Sequence, residues 1–120
     1  MTRLRFAFIG CGSHASSCLQ PCIPLIPELD FVATCDLDEK KAESCARRFG
    51  ALRSYTDWRR MVEHEQLDAV GICGPPELHL EVGIRCLEAG LHVFLEKPHA
   101  LSVSDSQRLL SRICCFPGLW

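Results

Sequence analysis

Three small residues near the start of the chain are spaced as in turns that bind phosphate groups. Gly10, Gly12 and Ala15 form a G-x-G-x-x-A pattern between an apolar run and a predicted helix. Such a turn lets backbone N–H groups approach a diphosphate, with the positive end of the helix dipole behind them. A tight turn that binds nothing can have the same pattern, so its context must decide between the two interpretations.

An acidic residue at the end of the second apolar run supports the phosphate-binding interpretation. Asp36 stands where a carboxylate accepts hydrogen bonds from the two hydroxyls of an adenosine ribose. It would repel a 2′-phosphate, which favours NAD over NADP, although Lys40 and Lys41 would weaken that preference if either turned inward. The alternative is a loop aspartate that only caps the next helix, but Asp38 suits that role better.

Two later loops are expected to line the same crevice, because ligands bind at the carboxyl ends of strands in an open parallel sheet. Gly74 and Pro75 follow the predicted fourth strand, and a rigid turn without ligand contact explains them equally well. Lys97, beside Glu96 after the fifth strand, can point a cation at a substrate or cofactor oxygen. A surface ion pair contributing about 0–1 kcal/mol is the alternative for Lys97. His79, in a helical first turn, fits a structural role on local grounds.

Apolar periodicity alternates between strands and helices along the whole chain. This alternation predicts an α/β fold, a doubly wound parallel sheet of the Rossmann type with strand order 3-2-1-4-5 and without a sixth strand. The predicted strands cover residues 4–9, 31–35, 53–55, 69–73 and 92–95, and the predicted helices run from 13 or 14 to about 22, over 39–49, 57–64 and 77–89, and from 102 to about 112.

Prolines and capping residues indicate how these helices begin and end. Three prolines between residues 21 and 27 limit the first helix, which we expect to be short or kinked. Asp38 and Gly50 are the expected caps of the helix over 39–49. We expect Thr56 to cap the next helix, and Ser102 with Asp105 to open the last one as in a capping box.

The composition describes one domain of ordinary balance. The 120 residues are 48% hydrophobic and 23% charged, with a formal net charge of −2, so no basic field attracts nucleic acid or an anionic membrane. No signal peptide and no membrane span is visible. We expect residues 1–112 to form the domain and the apolar residues 113–120 to form an irregular tail.

The nine cysteines indicate reduced thiols in a cytoplasm. Their odd number and their positions inside apolar segments argue against a disulfide framework. Cys18 and Cys22 lack a second ligand pair for zinc, so we expect no metal site. Cys11 lies inside the glycine turn, where exposure near a helix N-terminus would favour the thiolate, although we assign it no chemistry.

Several stretches together resemble the N-terminal domain of the glucose-fructose oxidoreductase and inositol dehydrogenase family (Gfo/Idh/MocA-like). The resemblance covers residues 4 to about 110, and its most specific element is the Glu-Lys-Pro step at the end of the last stretch. The matching stretches are FIGCGSH (8–14), VATCD (32–36), LDAV (67–70), PPELH (75–79) and GLHVFLEKP (90–98).

This resemblance implies NAD(P)-dependent oxidation or reduction of sugars, cyclitols and related polyols. It implies that Lys97 reaches the nicotinamide side and the substrate, which makes it the candidate for moving a proton, and that the Lys97–Pro98 peptide is cis. NAD is the expected cofactor, with NADP less favoured. The cofactor-binding residues implied in this way are Gly10, Cys11, Gly12, Ser13, His14, Ala15, Asp36, Leu37, Gly74, Pro75, His79, Glu96 and Lys97.

Members of that family continue into a second domain that supplies the substrate pocket, and the 120 residues contain no counterpart of it. We therefore expect the isolated chain to bind a dinucleotide without turnover, and a sugar or polyol only if the second domain is supplied. The oligomeric state stays open. Two alternatives stay open as well: a non-enzymatic nucleotide-binding regulatory module, and a truncated product without function.

Overall fold

The structure is a computed structural model that describes residues 2–115, and it contains five strands in one parallel sheet. The strands pair in the order β3-β2-β1-β4-β5, so the predicted topology is confirmed. Helices lie between successive strands, as right-handed crossovers require in a parallel sheet. The strands are β1 (Leu4–Ile9), β2 (Leu29–Cys35), β3 (Arg53–Tyr55), β4 (Ala69–Ile72) and β5 (His92–Leu95).

Within residues 2–115, one distorted helix and three regular helices connect the strands, and a fourth regular helix follows β5. The distorted segment, which we call the proline helix, is π-helical over Ala15–Leu19 and 3-10 helical over Gln20–Leu25. The regular helices are α1 (Glu39–Phe49), α2 (Trp58–His64), α3 (Pro76–Glu88) and α4 (Val103–Cys115). Residues 116–120 of the expected tail lie outside the described residues, and α4 extends three residues past its expected end.

The proline helix is distorted, as its prolines predict, but it ends at Leu25 rather than near Cys22. Pro21 stands in the first turn of the 3-10 segment and Pro24 inside that segment, where the missing N–H excludes regular α-helical bonding. The tighter 3-10 turn accommodates both prolines, which explains the three additional residues.

Two further expectations about element boundaries are wrong for identifiable reasons. Asp57, not Thr56, caps α2, because the Asp57 carboxylate accepts a hydrogen bond from the Arg59 N–H at 3.0 Å. β2 begins two residues earlier than predicted, since Leu29 pairs with Leu4 of β1. Sequence periodicity alone does not reveal residues that join a strand only because they pair with the adjacent strand.

Two apolar clusters cover the two faces of the sheet. Ala7 and Ile9 point to one face and pack with Met61 of α2 and Val82 of α3. Phe6 and Phe8 alternate with them and pack on the other face against the proline helix. Gly71 fits this arrangement although glycine weakens strands, because a Cβ there would lie 2.6 Å from the Phe8 ring.

The amino-terminal edge of the sheet is closed by a buried carboxylate with three partners. The Glu65 side chain is 3% exposed and pairs with Arg5 of β1 and Arg53 of β3. The Tyr55 hydroxyl donates to the same carboxylate at 2.6 Å. These contacts lower the pKa of Glu65, with the Arg53 hydrogen bond as the largest cause. Within residues 2–115, no helix has the length and apolar character needed to cross a membrane.

Candidate dinucleotide-binding site

The glycine turn connects β1 to the proline helix, and its first position accepts only glycine. Gly10 has φ +108°, and a Cβ there would lie 1.7 Å from the Cys73 carbonyl oxygen. The Gly10 N–H donates to the Cys35 carbonyl at 2.8 Å, which fixes the turn between β1 and β2. Gly12 differs, because a Cβ there would meet nothing within 4 Å. The backbone at Gly12 therefore faces open space that a ligand can fill.

Asp36 stands at the carboxyl end of β2 with its carboxylate held by backbone groups. The Cys11 N–H donates to Oδ2 at 2.8 Å, and the Asp38 N–H donates to Oδ1 at 2.8 Å. Each carboxylate oxygen keeps accepting capacity after one hydrogen bond. The side chain is thus oriented beside the glycine turn and can still receive two hydroxyl donors.

A cleft of about 650 Å³ opens at this edge of the sheet. The glycine turn and Asp36 form one wall, and the loop after β4 forms another. Leu37, 93% exposed, adds an apolar side chain at the rim. The start of α2, with Trp58 and Arg59, also lines the cleft, which the sequence did not predict. The lining residues that the sequence does predict as cofactor-binding are Gly10, Gly12, Asp36, Leu37, Gly74 and Pro75.

A second cleft of about 420 Å³ lies between the glycine turn and α1. Lys40, Lys41 and Arg48 contribute cations to its lining, and Ser13 contributes a hydroxyl. The two lysines that would weaken a preference for NAD thus line a cleft beside the turn. Asp36 does not line this second cleft, which shares Gly12 with the main one.

Cys11 is buried, which corrects the expectation of an exposed thiol. Its residue exposure is 4%, and burial raises the pKa of the thiol to about 12. The Cys11 backbone N–H donates to the Asp36 carboxylate, so Cys11 contributes to the site by orienting that carboxylate. Ala15 is buried as well, at 1% exposure, and packs the proline helix against β1.

Gln20 is a supporting residue that the sequence analysis missed. Its side chain is fully buried, and Nε2 donates to the Gly10 carbonyl at 2.9 Å. The helix changes from π to 3-10 geometry at Gln20, and this contact links that point to the glycine turn. Such distortions often occur near functional sites. A polar residue next to Pro21 was the available signal, but it does not reveal a contact ten residues earlier.

The end of β5 approaches the glycine turn through a contact between two side chains. His14 Nε2 lies 3.1 Å from Glu96 Oε2, and the Lys97 N–H donates to Glu96 Oε1 at 2.8 Å. Both contacts lower the pKa of Glu96, the backbone hydrogen bond from Lys97 being the larger cause. The Lys97 side chain is exposed and has no ion-pair partner among the described residues. The Lys97–Pro98 peptide is cis, as the family resemblance implies.

His79 differs from the expected cofactor contact. The residue is 1% exposed, and its two ring nitrogens contact the Gly74 N–H and the Pro98 carbonyl. It therefore connects the two loops at the crevice from inside the protein, while Pro75 and Lys97 are exposed and Gly74 is half-buried.

The model of the oxidoreductase family with an NAD-binding Rossmann fold matches residues 4–113. Among curated relatives, a dTDP-3,4-didehydro-2,6-dideoxy-alpha-D-glucose 3-reductase from Saccharopolyspora spinosa is 35% identical over 89% of this chain and 32% of its own length. The chain spans about a third of the length of the curated relatives that it matches.

Solved structures share the fold as well. The 3-ketoreductase KijD10 from Actinomadura kijaniata, solved with TDP-benzene and NADP, superposes with a TM-score of 0.89 at 27% identity, covering 96% of this chain and 36% of that one. The WlbA dehydrogenase from Chromobacterium violaceum, solved with NADH and UDP-GlcNAcA, gives 0.86 at 28% identity over 96% and 33%. With the family model and the site geometry, these matches show that the chain belongs to the Gfo/Idh/MocA oxidoreductase family and represents its N-terminal NAD-binding domain.

Proposed function

We propose that this chain binds NAD in the 650 Å³ cleft and is the cofactor domain of an oxidoreductase that acts on sugar- or polyol-type substrates. The observation that carries the proposal is the orientation of Asp36 beside the open space at Gly12. A diphosphate on the glycine turn would place the adenosine ribose next to that carboxylate. One relative is a reductase of a dTDP-linked sugar and one neighbour was solved with UDP-GlcNAcA, which supports the substrate class.

The preference for NAD rests on charge. A 2′-phosphate would carry negative charge toward the Asp36 carboxylate, whereas the two ribose hydroxyls of NAD donate to it. KijD10 was solved with NADP and WlbA with NADH, so membership of the family leaves both cofactors open. We favour NAD because Asp36 lines the main cleft while Lys40 and Lys41 line the neighbouring one.

The chain supplies part of what an oxidoreductase needs. A bound nicotinamide would supply hydride transfer, which also requires a fixed substrate and a group that moves a proton. In our proposal, Lys97 reaches the nicotinamide side of the crevice, where its exposed ammonium follows β5, and holds or protonates a substrate oxygen. The substrate pocket itself would come from a second domain, so we propose nucleotide binding without turnover for these 120 residues. The seven cysteines between residues 11 and 86 are free, which fits a reducing compartment, and we propose the cytoplasm.

Fluorescence titration with NADH and NADPH tests this proposal. We expect micromolar NADH binding and weaker NADPH binding. Asp36→Ser should lower NADH affinity about tenfold or more, since hydrogen bonds to a charged group contribute about 1.5–3 kcal/mol. It should weaken NADPH binding less or strengthen it.

Asp30→Ser is the matched control, because it removes the same charge at the opposite end of β2. Absence of NADH binding by the native chain would contradict the proposed function. Reduction of NAD by the isolated chain with a panel of polyols would contradict the proposal that turnover needs a second domain.

A further inference from the structure

We propose that His79 is the positioning residue for Lys97, acting through the Pro98 carbonyl as the neutral imidazole with its proton on Nδ1. This inference rests on the proposed function, because it assigns Lys97 to the cofactor and substrate side of the crevice. It concerns a residue that touches neither of them.

The hydrogen bonds of His79 define its protonation state. The Gly74 N–H lies 3.0 Å from Nε2, and a backbone N–H can only donate, so Nε2 carries a lone pair. The Pro98 carbonyl oxygen lies 2.8 Å from Nδ1 and can only accept, so Nδ1 carries the proton. An imidazolium would present donors on both sides and could not accept from Gly74.

The two partners of His79 belong to the two loops that flank the crevice. Gly74 lines the main cleft after β4, and Pro98 directly follows Lys97 after β5. Because the ring is 1% exposed, water does not compete for either contact, and losing one would leave a buried polar group unsatisfied. Through the Pro98 contact, His79 therefore fixes the loop after β5 to α3 at the point where Lys97 emerges.

Lys97 is held by its backbone on both sides. Glu96 Oε1 accepts from the Lys97 N–H at 2.8 Å, and the Pro98 carbonyl receives Nδ1–H of His79. The Lys97 ammonium itself has no ion-pair partner within residues 2–115. The backbone at 96–98 sets the point from which the Lys97 side chain extends, and the Pro98 contact joins this backbone to α3.

Two substitutions separate the contacts of His79. His79→Asn retains a donor near the position of Nδ1 and can still reach Pro98, whereas His79→Gln retains an acceptor near the position of Nε2 and can still reach Gly74. If His79 positions Lys97 through Pro98, the Asn variant should bind NADH within about twofold of the native chain, and the Gln variant up to about fivefold more weakly, as removal of the Lys97 ammonium does. His64→Gln, on an exposed histidine of α2, is the control and should change nothing.

A double-mutant cycle with Lys97→Met distinguishes positioning from a general structural role. We expect Lys97→Met to lower NADH affinity about fivefold in the native and Asn backgrounds and less than twofold in the Gln background. Equal losses in all three backgrounds would overturn the proposal, as would equal effects of the Asn and Gln variants.

Nitrogen-15 NMR of the His79 ring in the ligand-free chain gives a test that needs no variant. We expect a protonated Nδ1 and an unprotonated Nε2; the opposite tautomer would overturn the inference. If the native chain shows this tautomer and binds no NADH, the proposed function fails, while the two hydrogen bonds by which His79 joins the loops stand. If NADH binds and the cycle is additive, the positioning role fails and the proposed function stands.

Discussion

The two edges of the sheet use the same kinds of charged residue in different ways. At the amino-terminal edge, the carboxylate of Glu65 is 3% exposed and has three side-chain partners from β1 and β3. At the carboxyl-terminal edge, Asp36 is held by two backbone N–H groups beside a cleft of about 650 Å³. Lys97, at the same edge, has no ion-pair partner among the described residues.

This difference separates charges that stabilise the fold from charges that are available to a ligand. A buried carboxylate whose acceptors are taken by guanidinium and hydroxyl groups has little capacity left for a further partner. A carboxylate oriented by backbone donors keeps that capacity and does not move when a ligand arrives. The comparison predicts that changes at Glu65 affect stability and that changes at the glycine turn affect binding.

The largest effect should come from Glu65→Ala. The substitution leaves Arg5, Arg53 and the Tyr55 hydroxyl without their common partner, so we expect a loss of about 2 kcal/mol in the free energy of unfolding, since hydrogen bonds to a charged group contribute about 1.5–3 kcal/mol. Urea denaturation measures it. Glu81→Ala is the matched control, because its pair with Arg59 is exposed on both sides and should contribute less than about 1 kcal/mol. Similar losses for the two variants would remove the distinction between a buried and an exposed ion pair.

The next effect sharpens the comparison at the carboxyl-terminal edge. Gly12→Ala places a methyl group in open space, so stability should change by less than about 0.5 kcal/mol. NADH affinity should fall about tenfold or more, since the methyl group takes the space of the diphosphate. Gly10→Ala should instead lower both stability and affinity, because its Cβ would collide with the Cys73 carbonyl. If Gly12→Ala bound NADH as tightly as the native chain does, the diphosphate would have to lie elsewhere.

The smallest effect is the loss of the contribution of Glu65 to stability as the pH falls. The pKa of Glu65 is lowered in the folded chain, so its contribution is fully present above the ordinary glutamic acid pKa and is lost as pH falls through the lower folded value. The difference in unfolding free energy between the native chain and Glu65→Gln should therefore shrink between pH 6 and about pH 3. Denaturation curves at several pH values measure it. A constant difference over this range would mean that the folded chain does not favour the ionised carboxylate.

Local sequence signals were sufficient for the order and type of the elements. Asp38 caps α1 by accepting from the Lys40 N–H at 3.0 Å, as predicted from its type and position. The alternation of strands and helices was sufficient for the sheet order, because parallel crossovers leave few topologies. The predicted end of the proline helix and the predicted cap of α2 were wrong, because neighbouring residues of similar propensity compete there and the packing decides between them.

The site was predictable only where one residue acts through its own backbone or its place in a pattern. Gly10 and Asp36 belong to a pattern whose spacing reflects the geometry of a turn and an adjacent strand. Gln20 and His79 act on residues that approach them only in the folded chain, the latter across 19 residues. No periodicity encodes such contacts, because they depend on how two loops meet.

The amino-acid sequence by itself determined the parallel sheet, its strand order and the position of the glycine turn and acid, because these follow from local periodicity, steric limits at glycine and the handedness of crossovers. The tertiary structure alone decided which polar residues face the cleft and which are consumed inside the protein. Cys11 and His79 turned inward and Glu65 became the centre of a buried ion-pair network, because burial and partner geometry are properties of the packed chain.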